Sequence, residues 1–158
     1  MAVVELADLP AACPPNTPFV GLDLGEKTIG VAVSDLTRTI ASPAQLIRKT
    51  KFTDDAKALF RLMDERGATG VVIGLPLNMD GSEGPRAQSC RAFGRNLQRL
   101  RDVPVAFWDE RLSTSAVERF LIEDLDLNRK RRANVIDRTA AAFILQGALD
   151  RLKAGFSA

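Results

Sequence analysis

The chain has 158 residues, 46% apolar, 27% charged and 6% aromatic, which suits a single globular domain able to bury most of its surface without disulfide or metal staples. It contains no histidine, no tyrosine and only two cysteines, Cys13 and Cys90. Ser-His-Asp and Cys-His mechanisms therefore lack their base, zinc sites of the usual Cys/His kind lack ligands, and no Cys-x-x-Cys redox pair exists. Chemistry here falls to carboxylates, Lys, Arg, Ser/Thr or a bound ion.

The net charge of +2 averages over segments of opposite sign, and 16 of the 22 basic residues are Arg, the better fork for phosphate. Residues 86–101 hold five Arg and no acid, residues 128–138 hold five basic residues against Asp137, and residues 109–126 hold six acids and two Arg. Such segregation points to a partner with repeated negative charge. No apolar run approaches the roughly 18 residues that span a bilayer, and Met-Ala-Val-Val-Glu lacks the basic start of a secretory signal, so a cytoplasmic protein with no membrane partner is expected.

In chain order, residues 1–18 carry four prolines and no sustained period, and they read as a flexible extension. The domain is expected over 19–158. Phe19–Leu24 and Ile29–Ser34 read as a hairpin, and a third strand near Ile40–Ile47 is weakened by Pro43. Thr53 or Asp54 can cap a helix whose apolar face is Ala56, Leu59, Phe60 and Met63, ending at Gly67. Val71–Leu75 is a continuous apolar run, as in a strand covered on both faces. A loop over Pro76–Gly84, a helix over Arg86–Arg101 and a strand over Pro104–Trp108 follow. Ser115 and Glu118 form a capping box for a helix to about Leu125; Asn128–Arg132 reads as a basic loop, and a last helix runs from Asn134 to about Lys153. Three strands followed by alternating helices and strands predict an α/β fold, a mixed five-stranded sheet with helices on both sides.

Three acids stand at or beside element ends. Asp23 sits inside a β-rich run between Gly21 and Gly25; alternation puts it on a face with Phe19 and Gly21, opposite Val20, Leu22 and Leu24. Read alone, Asp-x-Gly is also a common turn. Asp109 and Glu110 terminate a hydrophobic strand, where a ligand site competes with a surface Asp-Glu-Arg cluster. Asp137 falls in the first turn of the last helix, where the helix dipole also favours an acid. Together, acids from a first strand, a late strand and a following helix can converge at one end of a mixed sheet, as an oxygen-rich divalent site requires. Two Mg²⁺ or Mn²⁺ ions held there suit phosphodiester cleavage without histidine.

Arg91, Arg95 and Arg99 recur every fourth residue and make a basic ridge; Arg129, Lys130, Arg131 and Arg132 form a loop leading to Asp137; Lys27 lies in the hairpin turn. Each is a candidate nucleic-acid contact, against the alternative of a plain solvated surface. Asn78 and Asp80 read as loop-ordering groups, and Ser113, Thr114 and Ser115 as caps without a base to make them nucleophiles.

Gly21-Leu-Asp23-Leu-Gly25-Glu-Lys27-Thr-Ile-Gly30, Val72-Ile-Gly-Leu-Pro-Leu-Asn78-Met-Asp80-Gly81, Asp109-Glu110-Arg111-Leu-Ser-Thr114 and Val135-Ile-Asp137 occur in this order. The set resembles the YqgF (RuvX-like) family of pre-16S rRNA nucleases and Holliday-junction-resolvase-like proteins, over about residues 19–150. The resemblance implies an RNase H-like fold, a role in ribosome biogenesis near the 5′ end of precursor small-subunit rRNA, and Asp23, Glu110 and Asp137 as an acidic metal-binding trio. Precursor rRNA is the expected partner, with branched DNA, or RNA binding without catalysis, as alternatives, and the protein acting as a monomer or homodimer. An actin-like or sugar-kinase ATPase also uses Asp-x-Gly-x-Lys, but closes two such domains around its nucleotide, and this chain has room for one.

Overall fold

The computed structural model describes residues 3–112 and 129–155, with backbone alone for the helical stretch 129–139. A five-stranded sheet runs in the order β3-β2-β1-β4-β5, with β1 Phe19–Leu24, β2 Thr28–Ser34, β3 Ala41–Arg48, β4 Gly70–Leu75 and β5 Val105–Asp109. The first three strands form an antiparallel meander, and β4 joins β1 in parallel, as β5 joins β4. The expected mixed sheet is therefore present, with β1 at its centre. Pro43, paired with Ala32, is accommodated on an edge strand beside the register shift between Val31 and Ala32.

Helix α1 (Leu9–Ala12) precedes the sheet, α2 (Phe52–Arg66) and α3 (Pro85–Leu100) flank β4, and α4 (Arg129–Ala154) follows β5. At the start of α2 neither Thr53 nor Asp54 serves as cap. The flanking residue is Lys51, and Asp55 instead reaches back to accept hydrogen bonds from the Thr50 backbone N–H (3.0 Å) and hydroxyl (3.3 Å). Its C-terminus follows the sequence: Gly67 takes φ +69° and donates to the last carbonyls.

Alternation along the strands divides the core in two. Val20, Leu22, Leu24, Val31, Val71 and Ile73 face α2 and α3, joining Leu59, Met63 and Leu97. Phe19, Ala32, Val72 and Ala106 face α4, joining Ala141, Ile144, Leu145 and Leu149. The second cluster also contains Leu6, Leu9 and Cys13. Residues 3–18, expected as a flexible extension, are thus packed: Leu9 is fully buried, Val4 donates to the Val105 carbonyl (2.9 Å), and Arg38 donates to the carbonyls of Thr17 (2.8 Å) and Pro14 (2.7 Å). Three apolar side chains docking on the α4 face of the sheet suffice to order a segment that has no period of its own.

Two further expectations change at α4. Arg129–Arg132 are helical rather than a loop, and Asp137 lies eight residues into the helix rather than in its first turn. The expected helix over Ser115–Leu125 lies outside the described residues. Among the described residues, no helix is long and apolar enough to cross a membrane.

Candidate active site

Asp23 and Gly21 occupy the α4 side of β1, and the parallel register sets Leu22 beside Ile73, so Asp23 comes level with Gly74 on the neighbouring strand. Gly74 in turn pairs with Trp108, two residues before Glu110. Because position 74 has no side chain, Glu110 folds back over it: a Cβ built there would lie 2.7 Å from Glu110 Oε1 and 3.0 Å from its Cγ, and 2.6 Å from Ile144 Cδ1. This slot brings the Glu110 carboxyl within hydrogen-bonding reach of Asp23. Two residues from opposite ends of the sheet motif set, 87 positions apart in sequence, therefore meet where β1 and β5 end.

Burial pushes the Glu110 carboxyl above its ordinary range; the Arg86 guanidinium and the contact with Asp23 pull it down, and Asp109 pushes it up. Two carboxylates this close cannot both stay charged without a proton or a cation between them. Acid oxygens converging in a partly desolvated slot fit a hard divalent ion. Among the described residues, no third Asp, Glu or Cys completes a set of three. Asp137 belongs to α4, one turn before Ala141, whose carbonyl oxygen lies 3.1 Å from a Cβ built on Gly21; its side chain lies outside the described residues.

Within the Asp109-Glu110-Arg111 run the structure divides the labour. Asp109 accepts from the Arg111 guanidinium (2.6 Å) and backbone N–H (3.0 Å), a pairing that holds its carboxyl below the usual carboxylate range. Arg111 also donates to the carbonyls of Asn78 (3.3 Å) and Met79 (3.1 Å), tying the loop between β4 and α3 to the end of β5. Asn78 and Asp80 order that loop as expected: Asn78 donates to the Ser82 hydroxyl (3.0 Å), and Asp80 accepts from the Ser82 backbone N–H (2.9 Å) and hydroxyl (2.6 Å).

The basic candidates separate. Lys27 is exposed in the β1–β2 turn, and Arg95 and Arg99 are exposed on α3. Arg91 is held by Glu83 (2.6 and 2.8 Å) and lies over the Phe107 ring at 5.0 Å, so the ridge does have an acid beside it, eight residues upstream of Arg91. The side chains of Arg129, Lys130, Arg131 and Arg132 lie outside the described residues. Two cations near the acids were not singled out in sequence. Arg86 follows Pro85 at the start of α3, acts on Glu110 and reaches the Leu24 carbonyl (3.5 Å). Lys49, just past β3, acts with Arg86 on the same neighbourhood. The Gly84-Pro85 helix start was the available signal for Arg86; nothing local marks Lys49 or Gly74.

A mixed sheet with an antiparallel meander and a parallel extension on its central strand is the RNase H-like architecture. Among solved structures, the Thermus thermophilus RuvC in complex with Holliday junction substrate shares the fold, with a TM-score of 0.55 and 13% identity over 88% of this chain and 98% of that one. Residues 17–151 match the sequence family described as RuvX, Holliday junction resolvase, and the chain belongs to that family. A Phenylobacterium zucineum protein named "Putative pre-16S rRNA nuclease" is 72% identical over 97% of this chain and 99% of its own length. The Caulobacter vibrioides protein of the same name is 62% identical over the same shares.

Proposed function

We propose that this protein is a metal-dependent nuclease acting on structured RNA in the cytoplasm, cleaving near the 5′ end of precursor 16S rRNA during ribosome biogenesis. The observation that carries the reading is the meeting of Asp23 and Glu110 over Gly74. Family membership and the names of the relatives supply the substrate class.

Asp23, Glu110 and Asp137 would hold Mg²⁺ or Mn²⁺. A divalent ion bound there supplies Lewis acidity toward a water nucleophile and toward the leaving oxygen. The chain's own residues do the remaining work. Arg86, beside Glu110, is placed to engage a phosphate and to offset the charge of the acids once they are ionised. The Asp109–Arg111 clamp fixes the loop that flanks the site, so Glu110 is presented from a braced turn. Lys27, Arg95, Arg99 and the Arg129–Arg132 run would track the strand beyond it.

Purified wild type and Asp137→Asn, assayed side by side on precursor rRNA and on four-way-junction DNA with Mg²⁺ and with Mn²⁺, test the reading. Ion-dependent cleavage of the precursor, abolished in the variant, is the expected result. The family's description favours a second reading, branched DNA as substrate. Symmetric junction incision needs two active sites, so that reading requires a dimer on the junction. RNA binding without turnover under either ion would reduce the protein to an assembly factor.

A further inference from the structure

Beside the acid pair lies a cavity of about 570 Å³ between the end of β1, the residue after β3 and the first half of α3. Leu24, Lys49, Arg86, Ser89, Cys90 and Phe93 line it. Its relation to the acids is close. Leu24 immediately follows Asp23 and points to the opposite side of the sheet, and Arg86 both lines the cavity and acts on Glu110. At its base, the Cys90 thiol feels Asp23, Glu110, Arg86 and Lys49 together.

The lining combines two features that rarely serve the same small ligand. One wall is apolar: Leu24 is buried, and the half-buried Phe93 ring is held edge-on to Phe52 at 5.2 Å between centroids. The lining also carries two cations, Lys49 and Arg86, which act on the Cys90 thiol together with the two acids. A flat apolar group linked to a phosphate matches both, and the volume admits one nucleotide. Glu26, exposed in the lining, carries a carboxylate, an acceptor suited to a base amino group and not to a phosphate.

We propose that this cavity seats the nucleotide next to the scissile phosphate in an unstacked conformation, its base against Phe93 and Leu24 and its phosphate on Arg86 and Lys49. The inference rests on the nuclease reading above and adds a selectivity to it. A base inside a continuous duplex cannot enter, so the enzyme prefers a strand that is unpaired beside the cleaved bond.

The test uses the full chain and two RNAs of one sequence, one unpaired and one fully paired beside the cleavage site, each with 2-aminopurine at the adjacent position. Ser89→Leu fills the cavity mouth from an exposed helical position, and Phe93→Leu keeps apolar bulk against Phe52 while removing the stacking face. On the unpaired RNA each variant raises KM about tenfold with kcat within about twofold, as expected for one lost base–aromatic contact. On the paired RNA neither changes KM, and 2-aminopurine fluorescence responds to wild type only when unpaired. Equal KM changes on both RNAs, or no fluorescence response on binding, would overturn the proposal. Absence of any wild-type cleavage would instead overturn the nuclease reading, and the fluorescence signal, read at equilibrium, would still decide the cavity.

Discussion

The two faces of the sheet are packed by different rules. Toward α2 and α3 the strands present Val20, Leu22, Val31, Val71 and Ile73 against Leu59, Met63 and Leu97, a thick layer of branched side chains. Toward α4 they present Gly21, Ala32, Gly74 and Ala106 beside Val72 and Phe19, and the helix sets Ala141, Ala148 and Gly147 between Ile144, Leu145 and Leu149. A Cβ built on Gly21 would fall 2.6 Å from Leu145 Cβ, and one on Gly147 2.9 Å from the Trp108 ring. The first face supplies stability through buried area; the second trades side-chain volume for a close approach of α4 to the sheet. Only the thin face can place a carboxyl over a strand, and both acids of the candidate site lie there.

If that division is right, removing charge on the thin face should abolish activity while leaving the fold intact. Asp23→Asn and Glu110→Gln keep size and shape. Each should lower ion-dependent cleavage about a thousandfold, the equivalent of roughly 4 kcal/mol of transition-state stabilisation. Melting curves should be preserved or shifted upward, because the two carboxyls no longer oppose each other. Retained cleavage in either variant would detach the acids from the chemistry.

The thick face should respond in the opposite sense. Leu59 is 1% exposed, and Leu59→Ala should cost about 2–5 kcal/mol in urea unfolding while kcat below the melting transition is unchanged.

The glycines sharpen the contrast because neighbouring positions predict different losses. In Gly74→Ala the new methyl meets the tips of Glu110 and Ile144, which can swing aside, so Glu110 is displaced and activity should fall by up to about a hundredfold with little change in melting. In Gly21→Ala it meets the Leu145 stem and the Ala141 carbonyl, which cannot, so stability should fall by about 1–3 kcal/mol. Identical phenotypes would show that the thin face is uniform rather than divided between site and scaffold.

What could be read in the sequence follows the same division. The hairpin, β4, β5 and α3 were legible because alternation and continuous apolar runs report burial directly, and the ends of those strands pointed to Asp23 and Glu110. The slot that joins these acids was not, because Gly74 acquires its meaning only from the β1–β4 register, a long-range property. Arg86 was visible only as one of five Arg in a basic helix. The N-terminal segment failed for a different reason: Leu6, Leu9 and Cys13 are too few and too irregularly spaced to show a period, yet they bury against Phe19 and α4. The helical state of Arg129–Arg132 was hidden because a run of four cations reads equally as a solvated loop, and Asn128 before it suits a turn as well as a helix start.

The two cysteines report on the two faces separately, and give the smallest effect expected here. Cys90 belongs to the thick face, where burial chiefly and the nearby Glu110 raise its thiol to about 11; Cys13 belongs to the N-terminal cover of the thin face, where burial also raises the thiol, opposed by a hydrogen bond with Thr69 and by Arg38. Because the thiolate is the reactive form, both should react slowly with a disulfide reagent at pH 8. Their routes to exposure differ. Cys13 needs only the short cover of residues 3–18 to lift from the sheet, whereas Cys90 needs α3 to leave it, and terminal segments open at lower free energy than core helices. Arg38→Ala removes the guanidinium that grips Pro14 and Thr17 and covers the Phe19 ring at 4.2 Å. It should therefore accelerate Cys13 modification several-fold while leaving the Cys90 rate unchanged. Equal acceleration of both thiols would mean that the cover and the sheet open as one unit.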